Sequence, residues 1–187
     1  MQSLIKYLNS FMPLSKAAKE ALVGICKELQ FKKNSDIQPI GHTCKTIYFL
    51  KKGLARIYYF KNDIDITESF SFENHLVVRY ESLFTGRPSK KAIQVLEDSD
   101  LIAIDANQLF KLYSKFPELE SVFARVFEAA HVETINRIES IQFHTAEERY
   151  KALLKEAPDV IKRVPLKYIA SYLGITPVSL SRIRGQK

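Results

Sequence analysis

From Pro165 to Gln186 the chain runs PLKYIASYLGITPVSLSRIRGQ. Leu166, Ile169, Ala170 and Leu173 recur at helical spacing, so they share one face of a first short helix. Gly174 follows, where a left-handed cap ends a helix without steric penalty. Ile175 buries the turn, Thr176 caps a second helix, and Pro177 fits its first position, where a missing N–H costs nothing. Leu180 and Ile183 carry the apolar face onward, while Ser179, Ser181, Arg182 and Arg184 point elsewhere. A side chain larger than that of Ala170 would push the two helices apart. Two readings fit: a helical hairpin closing a core, and a helix–turn–helix whose second helix enters a DNA major groove.

Charge separates them. Residues 160–187 hold six cations (Lys162, Arg163, Lys167, Arg182, Arg184, Lys187) and no acid, in a chain of net charge +7. A basic tip of this kind supplies the salt-sensitive attraction to phosphates on which most non-specific DNA affinity rests. The DNA reading is therefore preferred.

At 187 residues and 46% hydrophobic, the chain is long enough to bury a proper core. No apolar run approaches membrane-spanning length and Met1 to Ser10 lacks a signal-peptide core, so a cytoplasmic protein is expected. Cys26 and Cys44 are too few for a disulfide framework. The histidines at 42, 75, 131 and 144 form no close pair, so neither a metal nor another cofactor is expected.

Leu4, Ile5 and Leu8 suggest a short opening helix, and Ala18, Leu22, Ile25 and Leu29 predict an amphipathic helix over 15–29. From Phe31 to Asp105 the pattern changes to short β-branched and aromatic runs: Ile47–Leu50, Leu54–Phe60, Ile64–Phe72, Ala92–Leu96 and Leu101–Ile104. Gly41, Gly53 and Asn62-Asp63 supply turns. Strands of this length and spacing predict a small barrel or jelly roll. Leu109 to Tyr113 read as one or two helical turns.

Pro117 then opens the longest helical pattern, to about Gln142. Its apolar residues, from Leu119 to Ile141, cover more than one stripe. One stripe packs on the sheets; the other is expected to meet its copy in a second chain, since long isolated helices are not held by propensity alone. Thr145 with Glu148 forms a capping pattern for the next helix, which Pro158 ends. Three units follow: residues 1–116, a long helix over 117–142, and a C-terminal unit over 143–187.

The order of helix, small β-roll, long helix and helix–turn–helix resembles the Crp/Fnr family of bacterial transcription regulators over essentially the whole chain. IYFLKKGLARIYY at Ile47–Tyr59 resembles the sheet and turn glycine of its cyclic-nucleotide-binding fold. ESLFTGRPSKKAIQVLEDS at Glu81–Ser99 resembles its phosphate-binding cassette, and VPLKYIASYLGITP at Val164–Pro177 its DNA-reading unit. The resemblance implies an α+β protein: a double-stranded β-helix (jelly-roll) sensor domain, a dimerisation helix and a helix–turn–helix domain. It implies a homodimer on a two-fold symmetric operator, with duplex DNA, a second copy and RNA polymerase as partners, and no enzyme activity.

The cassette departs from the family pattern. Cyclic-nucleotide binders carry Gly-Glu-Leu before the short helix and Arg-Ser after its loop; here Arg79-Tyr80-Glu81 and Lys90-Lys91 stand there. A lysine cannot make the two parallel bonds that a guanidinium makes to phosphate. Cyclic AMP is therefore not the expected ligand, and Arg79, Glu81, Ser82, Arg87, Ser89, Lys90 and Lys91 are the candidate pocket for another anion, or line an empty one. Two cysteines exclude the family's four-cysteine iron–sulfur sensors. No histidine is marked as a haem ligand.

The reading helix departs too, with Pro177 and Val178 where Arg-Glu is common in the family. By the resemblance, Lys167, Thr176, Val178, Ser179, Ser181, Arg182, Arg184 and Lys187 face DNA. Arg182 is placed for a bidentate contact with guanine and Val178 for a thymine methyl; Arg184, Lys187 and Lys167 are placed for phosphates. The changed helix start leaves a second reading open, a ligand-sensing or scaffold module that does not read DNA. A cupin-like enzyme would need clustered histidines, and only His42 and His75 fall within the β region.

Overall fold

The computed structural model describes residues 1–185. Helix α1 (Gln2–Phe11) and helix α2 (Lys16–Gly24) open the chain. The Ser15 hydroxyl caps α2 by accepting from Ala18 N at 3.2 Å, and it donates to Glu118 at 2.6 Å, across 103 residues of sequence. Eight strands follow: β1 (Cys26–Phe31), β2 (Asp36–Gln38), β3 (Thr46–Lys52), β4 (Ala55–Lys61), β5 (Ile64–Ser71), β6 (Leu76–Val77), β7 (Ala92–Val95) and β8 (Ser99–Asp105). Helix α3 (Tyr80–Thr85) lies between β6 and β7.

The expected helix over 15–29 is corrected here: it stops at Gly24, and Cys26–Phe31 is a strand. The Leu22, Ile25, Leu29 spacing suits a helix, but Leu29 and Phe31 also alternate with exposed Glu28 and Gln30. Six residue pairs with β8, from Cys26↔Ile104 to Phe31↔Ser99, decide for the strand. Tertiary pairing overrides a local periodicity of barely two turns.

The strands form two antiparallel sheets, ordered β1-β8-β3-β6 and β2-β7-β4-β5. Their inner faces share one core of Ile37, Tyr48, Leu50, Ala55, Ile57, Val77, Ile93, Val95 and Leu101. The outer face of the first sheet is covered by helices. Ile47, Phe49, Ile102 and Ile104 pack there with Leu4 and Leu8 of α1, Leu22 of α2, and Leu109 of α4 (Ala106–Tyr113). Strand β3 thus has both faces buried, which explains its unbroken apolar run.

Helix α5 (Pro117–Phe143) buries Leu119, Val122, Phe123 and Val126 in that same core, packs Phe127 against it, and only then runs beyond it. Four short helices complete the fold: α6 (Ala146–Glu156), α7 (Val160–Arg163), α8 (Leu166–Tyr172) and α9 (Pro177–Gly185). Thr145 and Glu148 form the expected capping box of α6. These helices build a third core, from Tyr150, Leu153, Val160, Val164, Ile169, Ala170, Leu173 and Leu180, around Leu54 and Leu96 of the sheet domain. Uncovering each of those two leucines would cost about 1.5–3 kcal/mol, so the C-terminal unit docks rather than dangles. No helix among the described residues is long and apolar enough to cross a membrane.

Candidate nucleic-acid interface

The hairpin read from sequence forms through local bonds. Gly174 adopts φ +70°, and α8 closes with Gly174 N donating to Ser171 O and Ile175 N to Ala170 O, both at 3.0 Å. This paired closure satisfies carbonyls that the helix end leaves without partners. Thr176 Oγ1 accepts from Ser179 N at 3.1 Å and so caps α9. Ile169, Ala170, Leu173 and Leu180 are buried between the two helices and α6–α7.

The opposite side of α9 faces outward. Val178 is 62% exposed, and Thr176, Ser181, Arg182 and Arg184 are exposed as well. Ser179 is half-buried, its hydroxyl 3.0 Å from that of Thr176, and the Ser181 hydroxyl donates to Pro177 O at 3.0 Å. Both serines therefore have local partners, leaving Val178, Arg182 and Arg184 as the side chains free to reach a ligand. Lys167 is exposed on α8, its ammonium 4.8 Å from the Tyr168 ring centre. Lys187 lies outside the described residues.

The basic tip is smaller than the sequence suggests. Lys162 pairs with Asp159 at 3.2 Å, and Arg163 is engaged by two acids of the sheet domain. Its fork donates to Glu73 at 3.1 and 2.6 Å and also to Glu97. A window without acids in sequence thus meets acids 66 and 90 residues away. Among the described residues, Lys167, Arg182 and Arg184 have no carboxylate partner.

The Arg163 clasp, with α8 laid on β5, holds the hairpin to the sheets. Thr67 N donates to Ser171 Oγ at 2.8 Å, the Arg56 guanidinium lies 3.6 Å from the Tyr168 ring centre, and Phe70 packs on Tyr172. Bonds to Glu73 and then Glu97 push Arg163 above its ordinary pKa. Burial pushes the Glu73 carboxyl up, but the bonds from Arg163 and from backbone N–H groups outweigh it and leave its pKa lowered. A carboxyl lowered in the folded state stabilises fully above its ordinary value of about 4.3 and loses that contribution as pH falls through the lower folded value. The near-UV circular dichroism of Tyr168 and Tyr172 should therefore fall in that acid range. In Arg163→Ala it should already be reduced at neutral pH and show no such acid step.

The candidate anion pocket divides. Arg79 is buried, with Nε 3.4 Å from Ser89 Oγ and Nη1 3.4 Å from Glu68. Lys91 donates to the same carboxylate, and Ser89 Oγ bonds both Lys91 N and Lys91 O. Ser82 instead ties Cys44 N to Arg87 O. Glu81, Arg87 and Lys90 are exposed and do not join the cluster. Sequence reasoning missed Glu68, and the cause is a bulge. Ile57 pairs with Ser69 and Tyr58 with Thr67, so Glu68 has no partner on β4. A bulge re-aims a side chain without leaving a compositional signal. Among the described residues, no cluster of three or more His, Cys, Asp or Glu is placed to hold a metal.

No protein-family model matches the sequence, and no curated protein matches it. Solved structures do. FixK2 from Bradyrhizobium japonicum superposes with a TM-score of 0.72 at 18% identity, over 87% of this chain and 84% of that one. The c-di-GMP responsive global regulator CLP of Xanthomonas campestris gives 0.68 at 13% identity, over 92% and 91%. The catabolite activator protein of Thermus thermophilus gives 0.59 at 16% identity, over 96% and 85%. A regulator of the crp/fnr family from Eubacterium rectale is a further neighbour, and the chain shares with these structures the cyclic-nucleotide-binding fold and the long helix that follows it.

Proposed function

We infer that this protein is a DNA-binding transcription regulator of the Crp/Fnr type, a homodimer acting on a two-fold symmetric operator in the cytoplasm. One observation carries the reading. Helix α9 buries its apolar face on α8 and turns Val178, Arg182 and Arg184 outward, with no acid beside either arginine among the described residues. Unpaired cations on an outward helix face suit a phosphate partner, so the scaffold alternative is not favoured.

A two-fold pair of such helices reads half-sites about 34–36 Å apart. Arg182 is the guanine-reading side chain, Val178 meets a thymine methyl, and Lys167 and Arg184 meet phosphates. RNA polymerase is the further partner this reading implies. The sensor pocket does not take cyclic AMP, because Glu68 neutralises Arg79 and Lys91, the cations a phosphate would need.

Selection of bound duplexes from a random pool tests the assignment and defines the operator. Arg182→Ala should then cost about 1–3 kcal/mol on that operator and relax preference at one base position. Arg184→Ala should weaken all sequences alike and lower the salt slope by about 1. Equal behaviour of the two variants on specific and random DNA would overturn the assigned roles.

A further inference from the structure

Two arginines tie the long helix to the turn of the reading hairpin. Arg137, on α5, donates from Nη2 to the Tyr172 carbonyl, and its guanidinium stacks 3.9 Å from the Tyr172 ring centre. Arg149, on α6, donates from Nε and Nη2 to the Leu173 carbonyl at 3.2 and 2.8 Å. Its Nη1 reaches the carbonyl of His144, the C-cap of α5. One guanidinium therefore joins the end of α5 to the end of α8. Carbonyls at a helix C-terminus lack intrahelical donors and carry partial negative charge, which is why cations settle there.

The arrangement leaves its charge without a counter-ion. Among the described residues, neither arginine has a carboxylate partner, and Arg137 Nε is buried without an acceptor. Burial, with Arg149 beside it, lowers the pKa of Arg137 despite the opposing influence of Tyr172. Two like charges kept side by side, one with an orphaned donor, call for an explanation beyond packing.

The joint they span supplies one. His144 (φ −110°, ψ 146°) and Thr145 (φ −66°, ψ 161°) are extended, so the backbone between α5 and α6 is a break in the helix. In a dimer built on α5, every error at that break is carried to α9. Half-sites sit 10–10.5 base pairs apart over about 34–36 Å, so one base pair more or less displaces a half-site by roughly 3.4 Å. Only a stiff joint can refuse such a displacement.

We propose that Arg137 and Arg149 are positioning residues that brace this joint and so fix the half-site spacing the dimer accepts. The proposal rests on the regulator reading above. The test uses the full chain, the selected operator, and a series with one or two base pairs inserted or removed between half-sites, read by fluorescence anisotropy. The unaltered protein should lose about tenfold in affinity for each base pair changed, the order of one mismatched contact.

The Arg137→Ala/Arg149→Ala double variant should lose less than about threefold across the same series, a loose joint adapting where a stiff one cannot. Its affinity for a single half-site should stay within about twofold, because Val178, Arg182 and Arg184 are untouched. Arg137→Gln and Arg149→Gln, read singly, serve if the double variant does not fold, and Arg149→Lys should restore part of the discrimination. An unchanged spacing profile in the variants, or an unaltered protein indifferent to spacing, overturns the brace alone. An unaltered protein that binds no duplex overturns the regulator reading and the brace with it.

Discussion

Replacing Ile135 and Ile138 together with aspartate is expected to leave a folded monomer and to cost specific DNA affinity about a hundredfold to ten-thousandfold, the gain that joining two binding events supplies. Beyond Phe127, α5 leaves the core, and Val132, Ile135, Ile138 and Ile141 are exposed at 54%, 41%, 50% and 53%. They recur every third residue and so spread over a broad face rather than a narrow seam. Burying each isoleucine is worth about 1.5–3 kcal/mol, and a two-fold interface counts each residue twice. Aspartate reverses that term and brings a carboxylate into an apolar contact. None of these side chains belongs to the cores that hold the sheets or the C-terminal unit. Far-UV circular dichroism should therefore hold while sedimentation shows the loss of the dimer. A variant that stays dimeric with unchanged DNA affinity would remove α5 as the seam.

What the sequence disclosed, and what it hid, follows the range of the interactions. The α8–α9 hairpin was legible because Gly174, Ile175 and Thr176 close one helix and cap the next within a few residues. Strands β3, β4, β5, β7 and β8 were legible from their β-branched and aromatic runs. Strand β1 reads as helix in the sequence, since its partners on β8, from Ile104 back to Ser99, lie far along the chain. Strands β2 and β6, of three and two residues, carry no pattern of their own. The site divides in the same way. Exposure of Arg182 and Arg184 followed from helical spacing, whereas the capture of Arg163 by Glu73 and Glu97 depends on how two units dock. Arg137 and Arg149 belong to no motif in the sequence, and only the path of α8 puts carbonyls before them.

Gly53→Ala should be the most destabilising single-methyl change in the sheet domain. Gly53 joins β3 to β4 at φ +106°, in the region that side-chain-bearing residues rarely occupy. A Cβ there would lie 2.1 Å from Ser99 Oγ, 2.7 Å from its Cβ and 3.0 Å from its Cα. Turning the Ser99 hydroxyl relieves only the first contact. Its Cα is held where β8 pairs with β1, at Phe31↔Ser99, so backbone must move. Strain at such a φ costs about 1–3 kcal/mol, and overpacking a further 1–3 kcal/mol or so. In a chain of this size about 4 kcal/mol lowers the melting temperature by roughly 10 °C. The damage should spread, because Gly53 N donates to Glu73 Oε1 at 3.1 Å and Glu73 holds Arg163. The tyrosine signal of the docked C-terminal unit should thus weaken along with the sheets. A second change, Ser99→Gly, removes the side-chain clash but not the strained backbone, so it should recover part of the loss and no more. A single variant melting within about 2 °C of the unaltered protein, a loss of at most about 1 kcal/mol, would mean that the turn yields freely.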